Sequence, residues 1–422
     1  MLIQFNYENF KSFLSPASLD FTASNISELK DTLIPYEKEN YLRVISIYGA
    51  NASGKSNVIE SFSFMRNWVL NSFKLSSDQN PVPVKKFRFC AAGKESPSLF
   101  EVFVLAGGTE YQYGFEVNDD EVLSEWLYRK NIETKRFNFV FERSQQTFKL
   151  DKNLKSKKLI IESINKKSLL ISFLASLNEE NISEVFTWFY DAKVINFGSS
   201  SSELFHNTRF VADDVKDPEK YKKFMSFLTA FDLGIQGIRV EMLEGSHSEL
   251  DDEKRFRVFT QHRNTDTDEL EDLLLSEESS GTQKMISLYV YLTNVLNNGT
   301  VLFVDELDAK LHPNLTRYLI SMFQNPLTNP NHGQLIFTAH DTQFMSRELL
   351  RRDQIWFVEK KRNGSSELYP LSEYKLNENK IRKDASYTKD YLGGRYGAVP
   401  NLREDATEYL LAEKLQGDPH EK

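Results

Sequence analysis

Between a strand-like run and a helix-like run lies IYGANASGKSN, Ile47 to Asn57. Within it, Gly49 to Ser56 reads G-x-x-x-x-G-K-S. Glycines at those two places let the backbone curl until successive N–H groups face one point, the arrangement that receives phosphate oxygens. A helix beginning there adds the partial positive charge of its N-terminus. Lys55 is then placed to neutralise β- and γ-phosphates, and the Ser56 hydroxyl to ligate Mg²⁺. Gly49, Asn51, Ser53, Gly54, Lys55, Ser56 and Asn57 are the expected lining of this cradle. The implied ligand is a nucleoside triphosphate.

Such a site also needs acids, and the second half of the chain supplies them. VLFVDE, Val301 to Glu306, is an apolar run ending in adjacent carboxylates. Asp305 at a strand end would hold Mg²⁺, usually through water. Glu306 beside it can orient an attacking water or take its proton. About one helix upstream, Ser279, Gly281 and Thr282 in SEESSGTQKM open a helix and present N–H groups and a hydroxyl to an anion. Directly after the acids, Asp308 in LDAKLHP is placed to accept hydrogen bonds across an interface. His340 ends the run LIFTAH, where an imidazole can touch a γ-phosphate. The other histidines (206, 247, 262, 312, 332 and 420) are expected to be structural or exposed.

These residues need a scaffold, and its texture is α/β. RVISIY before the loop is a buried-strand pattern, and Val58, Ile59, Phe62 and Met65 after it recur at helical spacing. SLFEVFVLAGGTEYQYGFEV predicts a hairpin about Gly107-Gly108, with FNFVFER a further strand. SLLISFLASL, ISEVFTWFYDA and YKKFMSFLTAFDLG read as helices, without heptads. Glu249 to Glu278 is acidic and polar around one strand-like piece, RFRVFTQH, and is expected to contain a mobile loop. TVLFVDEL, GQLIFTAH and DQIWFVEK are further strands. The expected divisions are 1–150, an N-terminal part with the phosphate loop and a β subdomain; 151–265, an inserted mainly helical lobe; 266–380, a C-terminal part; and 381–422, a tail.

The bulk numbers set limits. A chain of 422 residues can bury a sizeable core. Its single cysteine, Cys90, excludes a disulfide framework and suits a cytoplasmic location. No apolar run approaches the roughly 20 residues of a membrane span, and MLIQFNYENFKSF lacks a signal-peptide core, so no membrane partner is expected. A formal charge of −9 excludes a uniformly basic nucleic-acid binder. It leaves room for a local basic face at Lys149 to Lys167, seven lysines against two acids.

The order of motifs, together with NFKSF at Asn9 to Phe13, resembles the heads of ABC-type and SMC/RecF-type ATPases. The resemblance implies an α/β P-loop NTPase of that head type, with an antiparallel β subdomain and an inserted, mainly helical lobe. It implies ATP and Mg²⁺ as ligands and ATP hydrolysis as the activity. It further implies a homodimer, or a higher assembly, that sandwiches ATP. Ser279 and Gly281 of one copy would then complete the phosphate site of the other. A GTPase is disfavoured, because NKKS and NKIR lack the final acid of a base-reading N/T-K-x-D. No glutamine loop is evident after the first helix, Gln79 being the nearest candidate.

More narrowly, SSGTQKMISL, VDELDAKLHPNLTRYLI, QLIFTAHDTQFM, DQIWFVEK and YLGGRYGAVP resemble the AbiL/RloA-like ATP-binding proteins of bacterial abortive-infection systems. That resemblance implies antiphage defence, with the ATPase gating a separately encoded effector, commonly a nuclease. The alternative is a RecF/SMC-like ATPase of DNA repair that binds nucleic acid directly. A self-contained nuclease fits less well, because only about sixty residues follow WFVEK.

Overall fold

A computed structural model of the chain describes residues 1–75, 80–131, 133–197, 208–231, 234–242, 256–374 and 386–400. It opens with β1 (Leu2–Glu8), β2 (Ala17–Asp20) and a small hairpin of β3 (Ile34–Tyr36) and β4 (Glu39–Tyr41). Next, β5 (Val44–Tyr48) runs through the glycine loop into α1 (Lys55–Leu75). After a short α2 (Ala91–Glu95) come β6 (Ser98–Ala106), β7 (Thr109–Val117), β8 (Val122–Lys130), β9 (Phe137–Ser144) and β10 (Thr147–Leu150). Helices α3 (Lys158–Ile161), α4 (Leu170–Ser176) and α5 (Glu180–Asp191) lead to β11 (Lys193–Asn196). Then follow α6 (Thr208–Lys216), α7 (Pro218–Ala230), β12 (Gly237–Met242), β13 (Phe256–Arg263) and β14 (Leu270–Leu274). The last part holds α8 (Ser280–Asn298), β15 (Val301–Asp305), α9 (Pro313–Gln324), β16 (Gln334–Thr338), β17 (Ile355–Lys360), β18 (Ser366–Pro370) and α10 (Tyr387–Leu392).

Two sheets carry the architecture. One has seven antiparallel strands in the order β10-β9-β8-β7-β6-β1-β2, with the expected hairpin closing at Ala106 and Thr109. The other has six strands in the order β11-β15-β16-β5-β17-β18, parallel except for the β17–β18 edge. Its inner strands are buried on both faces, which is why VISIY, VLFVD and QLIFT read as continuous rather than alternating apolar runs. The fold is therefore α/β with an antiparallel β subdomain, as the sequence implies.

α1 is the wedge between the sheets. Phe62 stacks on Phe303 of β15 with ring centroids 4.0 Å apart and meets Phe5 of β1 edge-on at 5.4 Å. On the other face of the parallel sheet, Met285, Leu288 and Leu292 of α8 and Leu319 and Phe323 of α9 cover Leu302, Val304, Leu335 and Phe337. A third cluster joins α6, α7 and the small sheet to α8 through Val211, Phe224, Ile238, Val258, Ile286 and Tyr289.

The segment expected as an inserted lobe is not set wholly apart. β11 forms the outer strand of the parallel sheet, and Leu170, Ile171, Val185 and Phe189 of α4 and α5 belong to the core around α1. The acidic stretch before α8 also differs from expectation, because LEDLL forms β14 and pairs with β13 in a three-stranded sheet. Its residues are half-buried or exposed, so the backbone ladder rather than an apolar pattern makes it a strand. Of Glu249 to Glu278, expected to contain a mobile loop, residues 249–255 lie outside the described residues, as do Gln79, His206, His247 and His420.

Gln334 ties the two sheets together. Its Oε1 accepts from Leu2 N at 2.6 Å, and its Nε2 donates to Leu2 O at 2.9 Å and Leu42 O at 3.1 Å. All of these atoms are buried, so truncation strands three backbone groups. Gln334→Ala is expected to lower the unfolding free energy by about 2–4 kcal/mol in urea titration. A loss below about 0.5 kcal/mol would show that this link carries no stability.

Candidate functional site

Parallel strands send their C-terminal ends to one edge, which in open α/β sheets is where ligands bind. Here the ends of β5, β16 and β15 bring the glycine loop, His340 and the two acids to that edge. The glycine loop is shaped by what lies behind it. A Cβ on Gly49 would sit 2.7 Å from Ser53 Oγ and closer still to Val358 O. One on Gly54, at φ +115°, would sit 2.6 Å from both Ser12 Oγ and Ser366 Oγ. Ser366 Oγ donates to Ser53 O at 2.5 Å, and Asn57 Nδ2 donates to Ser12 Oγ at 2.7 Å. Asn57 thus braces the loop from behind.

Lys55, at the start of α1, is buried, and its Nζ donates to Gly49 O at 2.9 Å and Ala50 O at 3.2 Å. Burial lowers its pKa, while the charges of Asp305, Glu306 and Asp308 act in the opposite direction. The cation is therefore parked on neutral carbonyls within the field of the acids. Ser53 Oγ is buried with no partner. The first N–H groups of α1, at Lys55 and Ser56, have no acceptor within their own helix. A polyphosphate would use this unpaired donor capacity, so the loop fits the expected ligand.

Register explains the acids. Val304 lies beside Phe337 and Thr338 beside Ile47, so Thr338 comes level with Asp305 in the middle strand. Thr338 Oγ1 donates to Asp305 Oδ1 at 2.6 Å and accepts from Glu306 N at 2.8 Å. Asp305 is buried by this pairing, whereas Glu306 stays half-exposed and turns out at φ +56°, an uncommon conformation for a non-glycine residue. Its Oε1 stands 3.9 Å from His340 Nε2. Among the described residues, no group of three or more His, Cys, Asp or Glu could hold a metal ion by itself. Mg²⁺ characteristically takes one or two protein ligands together with substrate phosphates, which Ser56 and Asp305 can match.

Asp308 is employed within its own chain. Its Oδ2 accepts from His340 N at 2.8 Å and Asp341 N at 2.7 Å, fixing the turn that presents the imidazole, while its Oδ1 is buried without a partner. Ser279 caps α8, accepting from Thr282 N at 3.1 Å, with the Thr282 hydroxyl 2.8 Å away. Gly281 faces Lys310 O, which a Cβ would approach to 3.2 Å. The Ser279–Thr282 group therefore packs on the loop after β15. No hydrogen bond connects it to Gly49–Ser56 among the described residues.

Of the remaining histidines that are described, His262 pairs with Glu278, His332 meets Arg43 and His312 caps α9. These are structural roles, as expected. Some residues of the site escape sequence reading. Thr338 follows only from register. Lys284 lies buried under the loop after β15, donating to Ala309 O with its Nζ 4.1 Å from the Phe197 ring centre; burial pushes its pKa down to about 8. Lys11 pairs with Glu60 and feels the charge of Asp305. Lys11 and Ser12 both sit in the NFKSF stretch, which was a usable signal.

The sequence model of one protein family, described as "AAA domain, putative AbiEii toxin, Type IV TA system", matches residues 44–346. That span takes in every candidate site residue. No curated protein matches the sequence. Among solved structures, the chain is similar to an SMC head bound to the C-terminal winged-helix domain of ScpA. The identity is 13% and the TM-score 0.44, over 88% of this chain and 98% of that one. No helix among the described residues is long and apolar enough to cross a membrane.

Proposed function

This chain belongs to the AAA-domain family whose description names AbiEii-type toxins of type IV toxin–antitoxin systems, and from that premise we propose that it binds and hydrolyses ATP as the regulatory subunit of an antiphage system. The observation that carries the nucleotide reading is the convergence of Lys55, Asp305 and Glu306 at one sheet edge. Bound Mg²⁺ would neutralise charge on the phosphate oxygens. Ser56 and Asp305 would hold that cation, with Thr338 fixing the carboxylate. Lys55 exchanges its carbonyl partners for phosphate oxygens. Glu306 takes the proton of the attacking water, and His340, steadied by Asp308, hydrogen-bonds the γ-phosphate.

We place Ser279, Gly281 and Thr282 over the phosphate loop of a second copy, since among the described residues of one chain they pack on the loop after β15 and make no hydrogen bond to Gly49–Ser56. The test is complementation by mixing. Chains with Ser279→Arg and chains with Lys55→Ala are each expected to be inactive alone. Their heterodimer retains one intact composite site, so an equimolar mixture should recover about a quarter of the wild-type ATPase rate. Absence of recovery would rule out action in trans.

The family description names a toxin of a type IV toxin–antitoxin system; in our reading the chain acts in abortive infection, gating a separately encoded effector that is a nuclease. The DNA-repair alternative gains no support from the basic stretch, since four of its seven lysines have partners within the chain. Lys149 pairs with Glu142, Lys157 with Glu179 and Lys158 with Glu162, while Lys167 donates to Asn80 O.

A further inference from the structure

A second polar site lies away from the glycine loop, at the outer edge of the parallel sheet. Arg66 of α1, Tyr190 of α5, Lys193 of β11, Lys220 and Lys223 of α7 and Asn294 of α8 line a cleft of about 640 Å³. The volume falls within the usual range for small-molecule sites. Arg66 lies 11 residues beyond Lys55 on α1 (66 − 55), roughly 16 Å along the helix. The cleft is therefore separate from the phosphate loop.

Its charges are poorly compensated. Arg66 donates to Ala192 O at 2.6 Å and Tyr190 O at 3.3 Å, and Lys193 donates to the same Tyr190 O at 2.9 Å. Two cations thus converge on neutral carbonyls. Burial lowers the pKa of both, and Arg66 lowers that of Lys193 further, against a smaller opposing effect from Asp191. Lys220 has Asp214 at 3.7 Å, the one carboxylate in the lining, and Lys223 has no ion-pair partner among the described residues. Like charges held together at a half-buried site are costly, and a bound anion would relieve that cost. The cleft also has an aromatic wall and an unused polar atom. Tyr190 stands 63% exposed with Lys193 Nζ 5.3 Å from its ring centre, and Asn294 Oδ1 is buried without a partner.

We propose that this cleft binds a nucleoside phosphate, its phosphate against Arg66, Lys193, Lys220 and Lys223 and its base against Tyr190 and Asn294. A flat heteroaromatic base stacks on tyrosine and has polar edges for Asn294, which an acidic peptide lacks. The same chemistry is offered by a free mononucleotide and by the phosphorylated end of a single strand.

The test uses the full chain carrying Lys55→Ala, so that the phosphate loop does not compete. Titration calorimetry at low salt is run with AMP and with a short 5′-phosphorylated single-stranded oligodeoxynucleotide. Binding of either probe supports the site, and the probe that binds identifies the source. Lys220→Glu/Lys223→Glu alters exposed side chains and should leave thermal unfolding unchanged while weakening binding about tenfold or more. Arg66→Gln, which keeps polar contacts without the charge, should weaken it similarly. Failure of both probes to bind at millimolar concentration overturns the proposal. So does affinity unchanged in both variants.

Discussion

Lys55→Ala is expected to bind ATP about 10²–10⁴-fold more weakly than the wild type, enough to abolish measurable binding at micromolar nucleotide. The size follows from the chemistry of the ammonium group. It supplies charge-assisted hydrogen bonds, each worth about 1.5–3 kcal/mol, while Lys11, which also feels Asp305, is paired with Glu60. Lys55 already sits where burial disfavours its charge and the acids favour it, so phosphate oxygens would replace the carbonyls of Gly49 and Ala50 as partners of a dehydrated cation. Fluorescent-nucleotide titration measures the loss, with circular dichroism confirming an intact fold. Normal affinity in this variant would mean that the glycine loop does not hold the phosphates.

Glu306→Gln should separate binding from chemistry. The amide keeps the size of the side chain and can still hydrogen-bond water, but it cannot accept the proton. Turnover is expected to fall about 10²–10⁴-fold while ATP affinity stays near wild type. Because hydrolysis would normally release the paired state, the variant should accumulate as a dimer in ATP by light scattering. Asp305, fixed by Thr338, is left untouched by this change, so loss of ATP binding would point instead to a structural role for Glu306. Unchanged turnover would remove it as the base.

The two variants probe parts of the molecule that differ in how visible they are beforehand. The phosphate loop is local: eight consecutive residues fix its spacing, and its flanking strand and helix follow in the same stretch. The acids are nearly as visible, because a buried parallel strand has an apolar run that stops where its end meets the ligand. Thr338 is different. It looks like an ordinary polar residue after QLIF, and it acts only because the strand order puts β16 between β15 and β5. Ser12 and Ser366 lie at opposite ends of the chain and meet behind Gly54 through the close approach of β18 to the loop. The cleft at β11 is assembled from α1, α5, β11, α6, α7 and α8; α8 lends six lining residues, but the basic ones come one or two apiece from α1, β11 and α7, so no single stretch signals it.

Asp308 shows the same divide within one residue. Its position just after the acidic pair was visible, but the partners chosen by its carboxylate were not. The turn after β15 lies close enough to the turn after β16 for the backbone N–H groups of His340 and Asp341 to claim one oxygen. Likewise LEDLL offers no apolar alternation, and β13 recruits it through backbone pairing together with the hydrogen bond from Gln261 to Asp272.

By itself, then, the amino-acid order determined the α/β texture, the phosphate loop and the identity of the acids, because spacing along a backbone and apolar periodicity are properties of short segments. Tertiary structure alone decided strand order, the Thr338 link, the packing of the Ser279 helix start on the loop after β15, and the basic cleft. Those depend on which distant segments share a sheet edge, and that is settled by burial of the whole core rather than by any one stretch.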